Sequence, residues 1–322
     1  MSILVFIETE NKAIKKNAQE AITYARAVAD MTDTTVTALI IGSLEGGEAS
    51  KAGQYGADKV LHVEDAQLEH HNSMAYASAV AAAAQIESSK VVILAKSGLA
   101  DAVAARAAAK LKAGIVSGVT ALPQIDGSSF SVQRSIFTGK AFSQTQINSE
   151  TKILVINKNT IETQTSEKQA TVEPFAPSVP ETDFKAKVID TEKATGDILL
   201  TDADIIVSGG RGMKGPEHWQ ALLDLASALG AATGCSKPVS DLDWRPHHEH
   251  IGQTGIKVAP NLYIACGISG AIQHLAGVNG SKCIVVINKD PEAPFFKAAD
   301  YGIVGDVFEV LPKLTEAAKN RH

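Results

Sequence analysis

Short apolar runs alternate with longer helical segments along the first half of the chain. The runs cover residues 3–7, 36–41, 59–63 and 91–95, and the segments between them include residues 12–30 and 74–85. Strands that alternate with helices predict βαβ units around a parallel sheet. From residue 129 to residue 156 the pattern is rich in strands, which predicts an antiparallel finish to that sheet. The first half is therefore expected to be an α/β domain with a mixed sheet.

The length of 322 residues predicts two domains, because an average domain has about 150 residues. A proline-spaced segment with Pro174, Pro177 and Pro180 separates the two halves. Such segments stay extended and act as semi-rigid connectors. We place a linker near residues 172–192, with a first domain over residues 1–190 and a second over residues 191–322. We also expect the second domain to swivel on this linker.

The alternation of strands and helices restarts after the linker. Strands are predicted over residues 204–207, 262–265 and 283–287, and helices over residues 216–229 and 271–276. Pro216 suits a first helical position, because the N–H that proline lacks has no partner there, and Gly230 suits a helix end. The second half is therefore expected to be a doubly wound parallel sheet.

The composition is that of an ordinary globular protein and excludes several classes. A net charge of -6 offers no basic surface for a nucleic acid backbone. Cys235, Cys266 and Cys283 lie in apolar or small-residue surroundings without C-x-x-C spacing, so we expect reduced core thiols rather than disulfides or a zinc site. The amino terminus has no signal pattern, and no apolar run approaches the roughly 20 residues of a membrane span. The default expectation is a cytoplasmic protein without membrane insertion.

Four loops between Gly252 and Asp306 place glycine and polar residues where apolar runs stop. They are I-G-Q-T-G (251–255), C-G-I-S-G-A-I-Q-H (266–274), I-N-K-D-P-E-A-P (287–294) and Y-G-I-V-G-D-V (301–307). In open α/β sheets, ligands bind outside the carboxyl ends of the strands. The pattern therefore predicts a bound organic cofactor.

A glycine-rich loop follows the first strand of the second domain. Gly210, Gly212 and Gly215 match G-x-G-x-x-G between a strand and a helix, a spacing that lets backbone N–H groups approach a pyrophosphate. The acidic residue that holds the ribose of NAD, about 20 positions further on, is missing from this sequence. Lys237 stands near that place and suits the 2′-phosphate of NADP. A contact with a nucleotide is favoured over a plain tight turn.

Polar residues cluster around the loop 266–274. Ser269 suits a helix N-cap, and Gly270 permits a phosphate or a ring carbonyl to approach the N–H groups of the first turn. His274 lies about one turn further on. A lone histidine on an apolar helix is usually a core residue. Here the adjacent Gln273 favours a ligand contact, as do Gln253 and Thr254, which the G-Q-T-G segment offers as further donors.

Charged residues elsewhere in the second half carry weaker signals. Arg211 and Lys237 end consecutive strands, and for them a solvated charge is as good an interpretation as a ligand contact. Asn288 and Asp306 end or interrupt apolar runs, and a carboxylate at such a place needs a partner such as a ribose hydroxyl. The cluster at residues 247–250, H-H-E-H, lacks the H-E-x-x-H spacing, so we interpret it as a solvated loop rather than a metal site. The sequence has no nucleophile elbow, P-loop or Ser-His-Asp order, so a hydrolase or kinase is not supported.

Several of these motifs together resemble one family. V-S-G-G-R-G, I-G-Q-T-G, A-P-N-L-Y-I-A-C-G-I-S-G-A-I-Q-H-L-A-G and I-N-K-D-P-E-A-P-F-F-x-x-A-D-Y-G-I-V-G-D are similar to the α subunit of electron-transfer flavoproteins. The resemblance is dense from residue 204 to residue 312. Over the first half it rests on the strand and helix pattern, on residues 53–60 and on residues 97–102.

The resemblance implies a heterodimer with a β subunit that the first domain contacts, and one FAD held mainly by the second domain. Any AMP would belong to the β subunit. Such proteins accept single electrons from primary dehydrogenases, such as acyl-CoA or trimethylamine dehydrogenase. They pass them to an acceptor such as a membrane quinone oxidoreductase. They are electron carriers and not enzymes with a small-molecule substrate of their own.

The resemblance also assigns FAD contacts, motif by motif. They are Arg211, Ser236, Lys237, Ile251, Gly252, Gln253, Thr254, Ser269, Gly270, Ala271, Ile272, Gln273, His274, Asn288, Asp306 and Val307. In the family pattern Thr254 lies by the flavin N5, His274 by the N1/C2 edge and Asp306 at the adenosine end. Fixed donors and a positive group at the N1/C2 edge stabilise the anionic semiquinone that a one-electron carrier needs.

The chain departs from the family at Lys237, where these flavoproteins usually carry arginine. Lysine keeps its charge as a compact, hydrated point, whereas arginine is planar and stacks on rings. We expect FAD binding to be retained, with weaker stabilisation of the anionic semiquinone. Two alternatives stay open: an NADP-dependent oxidoreductase built on the glycine-rich loop and Lys237, and a regulatory subunit with a structural cofactor, against which Thr254 and His274 argue.

Overall fold

The computed structural model describes residues 2–139, 141–186, 188–189 and 199–320. Contacts between Cα atoms divide the chain into two compact units, residues 1–192 and 193–322. Both units are α/β, so the expected fold class is confirmed. The domain boundary predicted at residue 190 lies outside the described residues. Within the described ranges, no helix is both long and apolar enough to span a bilayer.

The first unit is built on a ten-stranded sheet. Its elements are β1 (Ser2–Ile7), β2 (Thr9–Glu10), β3 (Ala13–Ile14), α1 (Lys16–Thr32), β4 (Thr35–Ile41), β5 (Lys59–Val63), α2 (Ser73–Ile86), β6 (Val91–Ala95), α3 (Gly98–Leu111), β7 (Gly114–Val119), β8 (Gln124–Asp126), β9 (Ser129–Ile136), β10 (Ala141–Gln146), β11 (Lys152–Ile156) and β12 (Thr171–Pro174). Short 3-10 turns cover Ala49–Tyr55, Ala66–Leu68, Phe137–Gly139 and Glu181–Phe184. The four predicted strands of this half are all present, within one residue at their ends.

The strand order in this sheet is β10-β9-β7-β11-β6-β1-β4-β5-β12, with β8 beside β9, whereas β2 and β3 form a separate antiparallel pair. Seven neighbouring strands of this order run parallel, namely β7, β11, β6, β1, β4, β5 and β12. Helix α1 covers one face of the sheet, while α2 and α3 cover the other. The antiparallel finish is confirmed for β9 and β10. It is wrong for β11, which is parallel to both β6 and β7. Four consecutive buried residues, 153–156, explain this, because a central parallel strand is covered on both faces.

The proline-spaced segment is attached to the first unit and is not a free linker. Its β12 pairs with β5, and Phe175 and Phe184 pack against the core that α2 and α3 form. Asp183 is 5% exposed and accepts hydrogen bonds from Ser78 Oγ and Lys110 Nζ. The linker predicted near residues 172–192 is therefore wrong over its described part up to residue 186. Prolines kept the segment extended, and an extended segment can add a strand to a sheet edge.

The second unit is a five-stranded parallel sheet in the order β14-β13-β15-β16-β17. Its elements are β13 (Ile205–Gly209), α4 (Gln220–Leu229), β14 (Ala232–Cys235), α5 (Lys237–Asp241), β15 (Leu262–Cys266), α6 (Ile272–Val278), β16 (Cys283–Asn288), β17 (Tyr301–Val304) and α7 (Val307–Lys319), with 3-10 turns at Arg211–Met213, Pro216–His218, His247–Glu249 and Pro294–Ala298. The strand order reverses between β13 and β15. A doubly wound sheet binds its ligand at such a reversal.

Buried apolar side chains fill both faces of this second sheet. Leu222 of α4 and Leu311 of α7 pack on one face, and Phe295 packs on the other. Cys235 and Cys266 are free and buried, as expected of core thiols, whereas Cys283 is free but only partly buried. The helix predicted from residue 216 begins with the turn Pro216–His218 and becomes α-helical at Gln220.

Candidate cofactor site

The carboxyl ends of five parallel strands meet at one edge of the second sheet. Arg211 follows β13, Ser236 and Lys237 follow β14, Asn288 ends β16, and Asp306 follows β17. The loop 267–271 follows β15, in the middle of the same edge. The structure therefore brings these predicted residues together, although they are separated by up to about a hundred positions in the chain.

Two glycine loops touch at the centre of this edge. Gly210 N–H donates to the carbonyl of Cys266 at 2.9 Å, and Gly212 N–H donates to the carbonyl of Gly267 at 3.0 Å. A Cβ atom on Gly212 would lie 2.6 Å from the Cα of Gly267. Two amides of the G-x-G-x-x-G match are thus already bonded to backbone. The loop is a packed turn, which disfavours the NADP alternative, since that alternative needs these amides for a pyrophosphate.

The I-G-Q-T-G loop reaches the same edge from outside the sheet. Ile251 N–H donates to the carbonyl of Cys235 at 2.9 Å, and Gln253 N–H donates to the carbonyl of Gln273 at 2.7 Å. These two bonds tie the loop to the end of β14 and to the first turn of α6. Ile251 and Gly252 are buried, whereas Gln253 and its neighbour Thr254 expose their side chains.

The loop after β15 turns on two glycines. Gly267 and Gly270 have φ values of 63° and 82°, a region that side chains other than glycine rarely adopt. Because the chain turns again at Gly270, α6 begins only at Ile272, and the N-cap of this helix is Ala271. Ser269 as helix N-cap is therefore wrong. The carbonyl of Ser269 instead accepts a hydrogen bond from Phe295 N–H at 3.1 Å.

His274 is a buried polar residue of this edge, with 7% of its surface exposed. Its Nε2 lies 2.8 Å from the hydroxyl of Tyr263. Its Nδ1 is buried and has no hydrogen-bond partner among the described residues. Burial lowers the pKa of His274 to about 4, against a smaller opposing effect of the Ile251 backbone. The imidazole is therefore neutral at pH 7, so this residue is not the positive group expected at the N1/C2 edge.

The H-H-E-H cluster is only partly a solvated loop. His247 and His248 are exposed, but Glu249 is 5% and His250 is 3% exposed. Glu249 accepts from Arg245 Nε at 2.9 Å and from a second guanidinium nitrogen. Across the described ranges, no group of histidine, cysteine and acidic side chains is arranged to hold a metal ion.

His250 is a candidate site residue that sequence reasoning missed. Burial lowers its pKa, and its Nδ1 is buried without a hydrogen-bond partner among the described residues. A Cβ atom on Gly255 would lie 2.7 Å from that Nδ1, so the I-G-Q-T-G loop folds directly over the ring. The signal in the sequence was the position of His250, immediately before that loop.

Two charged residues of the edge, Lys237 and Asp306, already have protein partners. Lys237 Nζ lies 2.9 Å from Asp241 one turn along α5. Asp306 accepts from Phe308 N–H at 3.0 Å as the N-cap of α7, and lies 2.5 Å from Lys289, which holds its pKa below the usual range. Asp306 thus does not depend on a ribose hydroxyl for a partner. Val307, the next residue, is buried.

Asn288 fastens two of the loops together. Its Nδ2 donates to the carbonyl of Ile268 at 3.0 Å, and its Oδ1 accepts from Asp290 N–H at 3.1 Å. The Asn288 amide therefore fixes the loop after β16 against the loop after β15. Its side chain is engaged with backbone groups, as a scaffold for the edge.

The edge has the features that a flavin dinucleotide requires. Its loops are held backbone to backbone, Arg211 and Lys237 supply positive charge, and the exposed Thr254 supplies a hydroxyl donor. The buried Nδ1 atoms of His250 and His274 lack partners among the described residues. Unpaired buried polar atoms are uncommon in folded proteins and call for an explanation, and a ligand would provide one here. The residues present therefore fit FAD.

Two family models match the chain. An electron transfer flavoprotein domain matches residues 3–180, and an electron transfer flavoprotein FAD-binding domain matches residues 199–279. The chain is 39% identical over 322 residues to the electron transfer flavoprotein subunit alpha of Bacillus subtilis, covering 98% of this chain and 97% of the relative. It is 36% identical to that of Thermoanaerobacterium thermosaccharolyticum and 35% identical to that of Megasphaera elsdenii, with at least 98% of this chain and 96% of each relative covered.

Proposed function

Because the chain belongs to the electron transfer flavoprotein alpha subunit family, we propose that it binds one FAD and carries single electrons between proteins. The FAD would lie at the edge of the second sheet where the carboxyl ends of the five strands meet, which we call the strand-end edge. When bound, FAD supplies a centre that accepts and releases electrons one at a time. The observation that carries the proposal is the buried Nδ1 of His274, unpartnered among the described residues, at the point where the sheet order reverses.

The residues that would hold FAD are those of the strand-end edge. The loops 251–254 and 269–274 would line the ring system, with Thr254 as a hydroxyl donor and His274 as a buried neutral imidazole. Arg211 and Lys237 would attract negative charge that develops on reduction, and a water-poor site makes such fixed groups more effective. Ser236, Asn288, Asp306 and Val307 would position the remaining parts of the dinucleotide.

We further propose that the chain works as one half of a heterodimer. The first unit would contact an electron transfer flavoprotein β subunit, and any AMP would lie in that subunit. A primary dehydrogenase, such as an acyl-CoA or trimethylamine dehydrogenase, would supply electrons, and a quinone oxidoreductase would receive them. A carrier of this kind needs no substrate pocket of its own, which agrees with the absence of a nucleophile elbow or P-loop from the sequence.

The proposal is tested by co-expressing the chain with its candidate β subunit and identifying the released cofactor. We expect FAD at about one equivalent per heterodimer, and flavin absorption that bleaches in two separate one-electron stages on stepwise reduction. His274→Gln is expected to change the potentials of those stages, whereas the exposed His248→Gln is expected to leave them unchanged. A heterodimer without flavin that binds NADP instead would contradict the proposal.

A further inference from the structure

A buried tyrosine contacts the imidazole of His274. Tyr263 lies on β15, directly upstream of the loop 267–271, and is fully buried. Its hydroxyl oxygen is 2.8 Å from His274 Nε2, and the two ring centres are 6.1 Å apart. Phe295 packs on both rings, with centres 6.3 Å from Tyr263 and 5.8 Å from His274. The pair is therefore held in one arrangement by its surroundings.

The hydroxyl of Tyr263 keeps its proton. Burial raises the pKa of this phenol, and the Ser208 hydroxyl on the neighbouring strand β13 has a smaller opposing effect. Among the described residues, His274 Nε2 is the hydrogen-bond partner of this hydroxyl. The proton of Tyr263 is therefore directed to His274.

A neutral imidazole carries one N–H and one lone pair. If the phenol donates to Nε2, Nε2 must present the lone pair, and the proton must sit on Nδ1. At metal sites, likewise, the hydrogen bond at one ring nitrogen determines whether the other nitrogen carries a proton or the metal. Nδ1 is the atom of His274 that is buried and makes no hydrogen bond of ordinary geometry among the described residues, although the Ile251 backbone lies near enough to raise the pKa of the ring slightly.

We propose that Tyr263 is a positioning residue that holds His274 as a neutral Nδ1–H donor for an acceptor group of the bound flavin. That Tyr263 sets the tautomer of His274 concerns the protein alone, whereas donation from Nδ1–H to the flavin rests on the proposed function. A buried donor without a partner destabilises the protein, and an acceptor on the ligand removes that cost. Flavins carry carbonyl and ring-nitrogen acceptors along one edge, so a donor without charge suits both their oxidised and reduced forms.

The tautomer is tested by two-bond hydrogen–nitrogen correlation spectra of the full chain labelled with 15N-histidine. The chain has nine histidines, and His274 is assigned from its contacts with the Tyr263 ring. At pH 7 we expect a protonated Nδ1 and an unprotonated Nε2. In Tyr263→Phe we expect the Nε2–H tautomer to exceed the Nδ1–H tautomer, since free histidine prefers Nε2–H. A wild-type ring protonated at Nε2, or at both nitrogens, would overturn the inference.

The effect on the cofactor is tested by potentiometry of the FAD-loaded heterodimer. Tyr263→Phe is expected to lower the first one-electron potential by ~59 mV, which is about a tenfold change in that equilibrium. Tyr301→Phe is the matched control, because Tyr301 is 67% exposed in the same unit, and we expect it to leave the potential unchanged. A variant with an altered tautomer but an unchanged potential would overturn the positioning role.

The two proposals fail in different ways. A wild-type heterodimer without FAD contradicts the proposed function, and the histidine spectrum still decides whether Tyr263 sets the tautomer of His274. If Tyr263→Phe does not fold, a fluorotyrosine at position 263 replaces it. Fluorine makes the phenol a stronger donor of nearly the same shape, so it is expected to strengthen the Nδ1–H state and to raise the first potential. An unchanged or lowered potential with fluorotyrosine would overturn the inference.

Discussion

Gly212 and Gly267 lie backbone to backbone at the centre of the strand-end edge. The N–H of Gly212 donates to the carbonyl of Gly267 at 3.0 Å, and a Cβ on Gly267 would lie 2.7 Å from the Cα of Gly212. The glycine-rich loop after β13 is thus closed by the loop after β15. This contact explains how two loops with little secondary structure can keep a fixed shape beside a cofactor.

Gly267→Ala is expected to destabilise the second unit by several kcal/mol. Alanine at a φ of 63° costs about 1–2 kcal/mol, and its Cβ would force the two loops apart, at roughly another 1–3 kcal/mol. Gly230→Ala is the matched control, because Gly230 has a φ of 60° but open space around it. Chemical denaturation of both variants measures the difference. Equal losses would show that the contact with Gly212 is unimportant.

The buried His274 is expected to make stability fall at acidic pH. The folded protein keeps this imidazole neutral down to a pKa of about 4, whereas the unfolded chain takes up a proton near 6.5. The contribution is therefore complete above pH 6.5, declines as the pH falls from 6.5 to 4, and is constant below. Its size is about 3 kcal/mol, from about 1.4 kcal/mol for each unit of pKa.

The pH effect is measured from the free energy of unfolding of the wild type and His274→Gln between pH 4 and pH 8. The variant is expected to lose less stability on acidification than the wild type. His248→Gln, which changes an exposed histidine of the same unit, is expected to keep the wild-type slope. Parallel curves for the wild type and His274→Gln would contradict a neutral buried imidazole.

Asp183 is expected to fasten the proline-spaced segment to the first unit. Its buried carboxylate accepts from Ser78 and Lys110, and hydrogen bonds to a charged group contribute about 1.5–3 kcal/mol. Asp183→Ala should therefore increase hydrogen exchange and proteolysis over residues 171–186. Glu181→Ala, which changes an exposed carboxylate in the same turn, should have little effect. Unchanged protection in Asp183→Ala would mean that β12 and Phe184 suffice to hold the segment.

Lys237→Arg is expected to widen the separation between the two one-electron potentials of bound FAD. Arginine keeps the charge while adding a planar group that stacks on rings, and a tenfold stabilisation corresponds to ~59 mV. Lys282→Arg is the control, because the exposed Lys282 lies at the opposite end of the sheet, directly before β16. Potentials that do not respond to Lys237→Arg would show that the departure from the usual arginine has no redox consequence.

Strands with uninterrupted apolar runs were the most predictable part of the fold. Val91–Ala95 has the predicted bounds, because a strand buried on both faces needs apolar residues throughout. Less apolar strands were harder to predict. Only the end of β14 (Ala232–Cys235) was predicted, since this strand is short and rich in small residues, and β17 (Tyr301–Val304) was not predicted, since it is largely exposed.

The residues of the candidate site likewise include some that the sequence predicted and some that it missed or misassigned. Residues at strand ends, such as Arg211 and Asn288, lie at this edge as predicted, because the ends of parallel strands meet there whatever the order of the strands. His250 was missed, because it belongs to no strand end and is buried by the fold of the I-G-Q-T-G loop. Ser269 was misassigned, because the left-handed turn at Gly270 postpones the helix.

The sequence by itself determined the α/β class, the family and the loops that compose the candidate site. These follow from the order of residues along the chain, because apolar periodicity and glycine positions are local properties. The tertiary structure decided which groups are buried and which are paired. It placed Tyr263 against His274, closed Gly212 onto Gly267 and attached the proline-spaced segment through Asp183. The last two depend on residues distant in the chain, and burial by the surrounding fold is the main cause that lowers the pKa of His274.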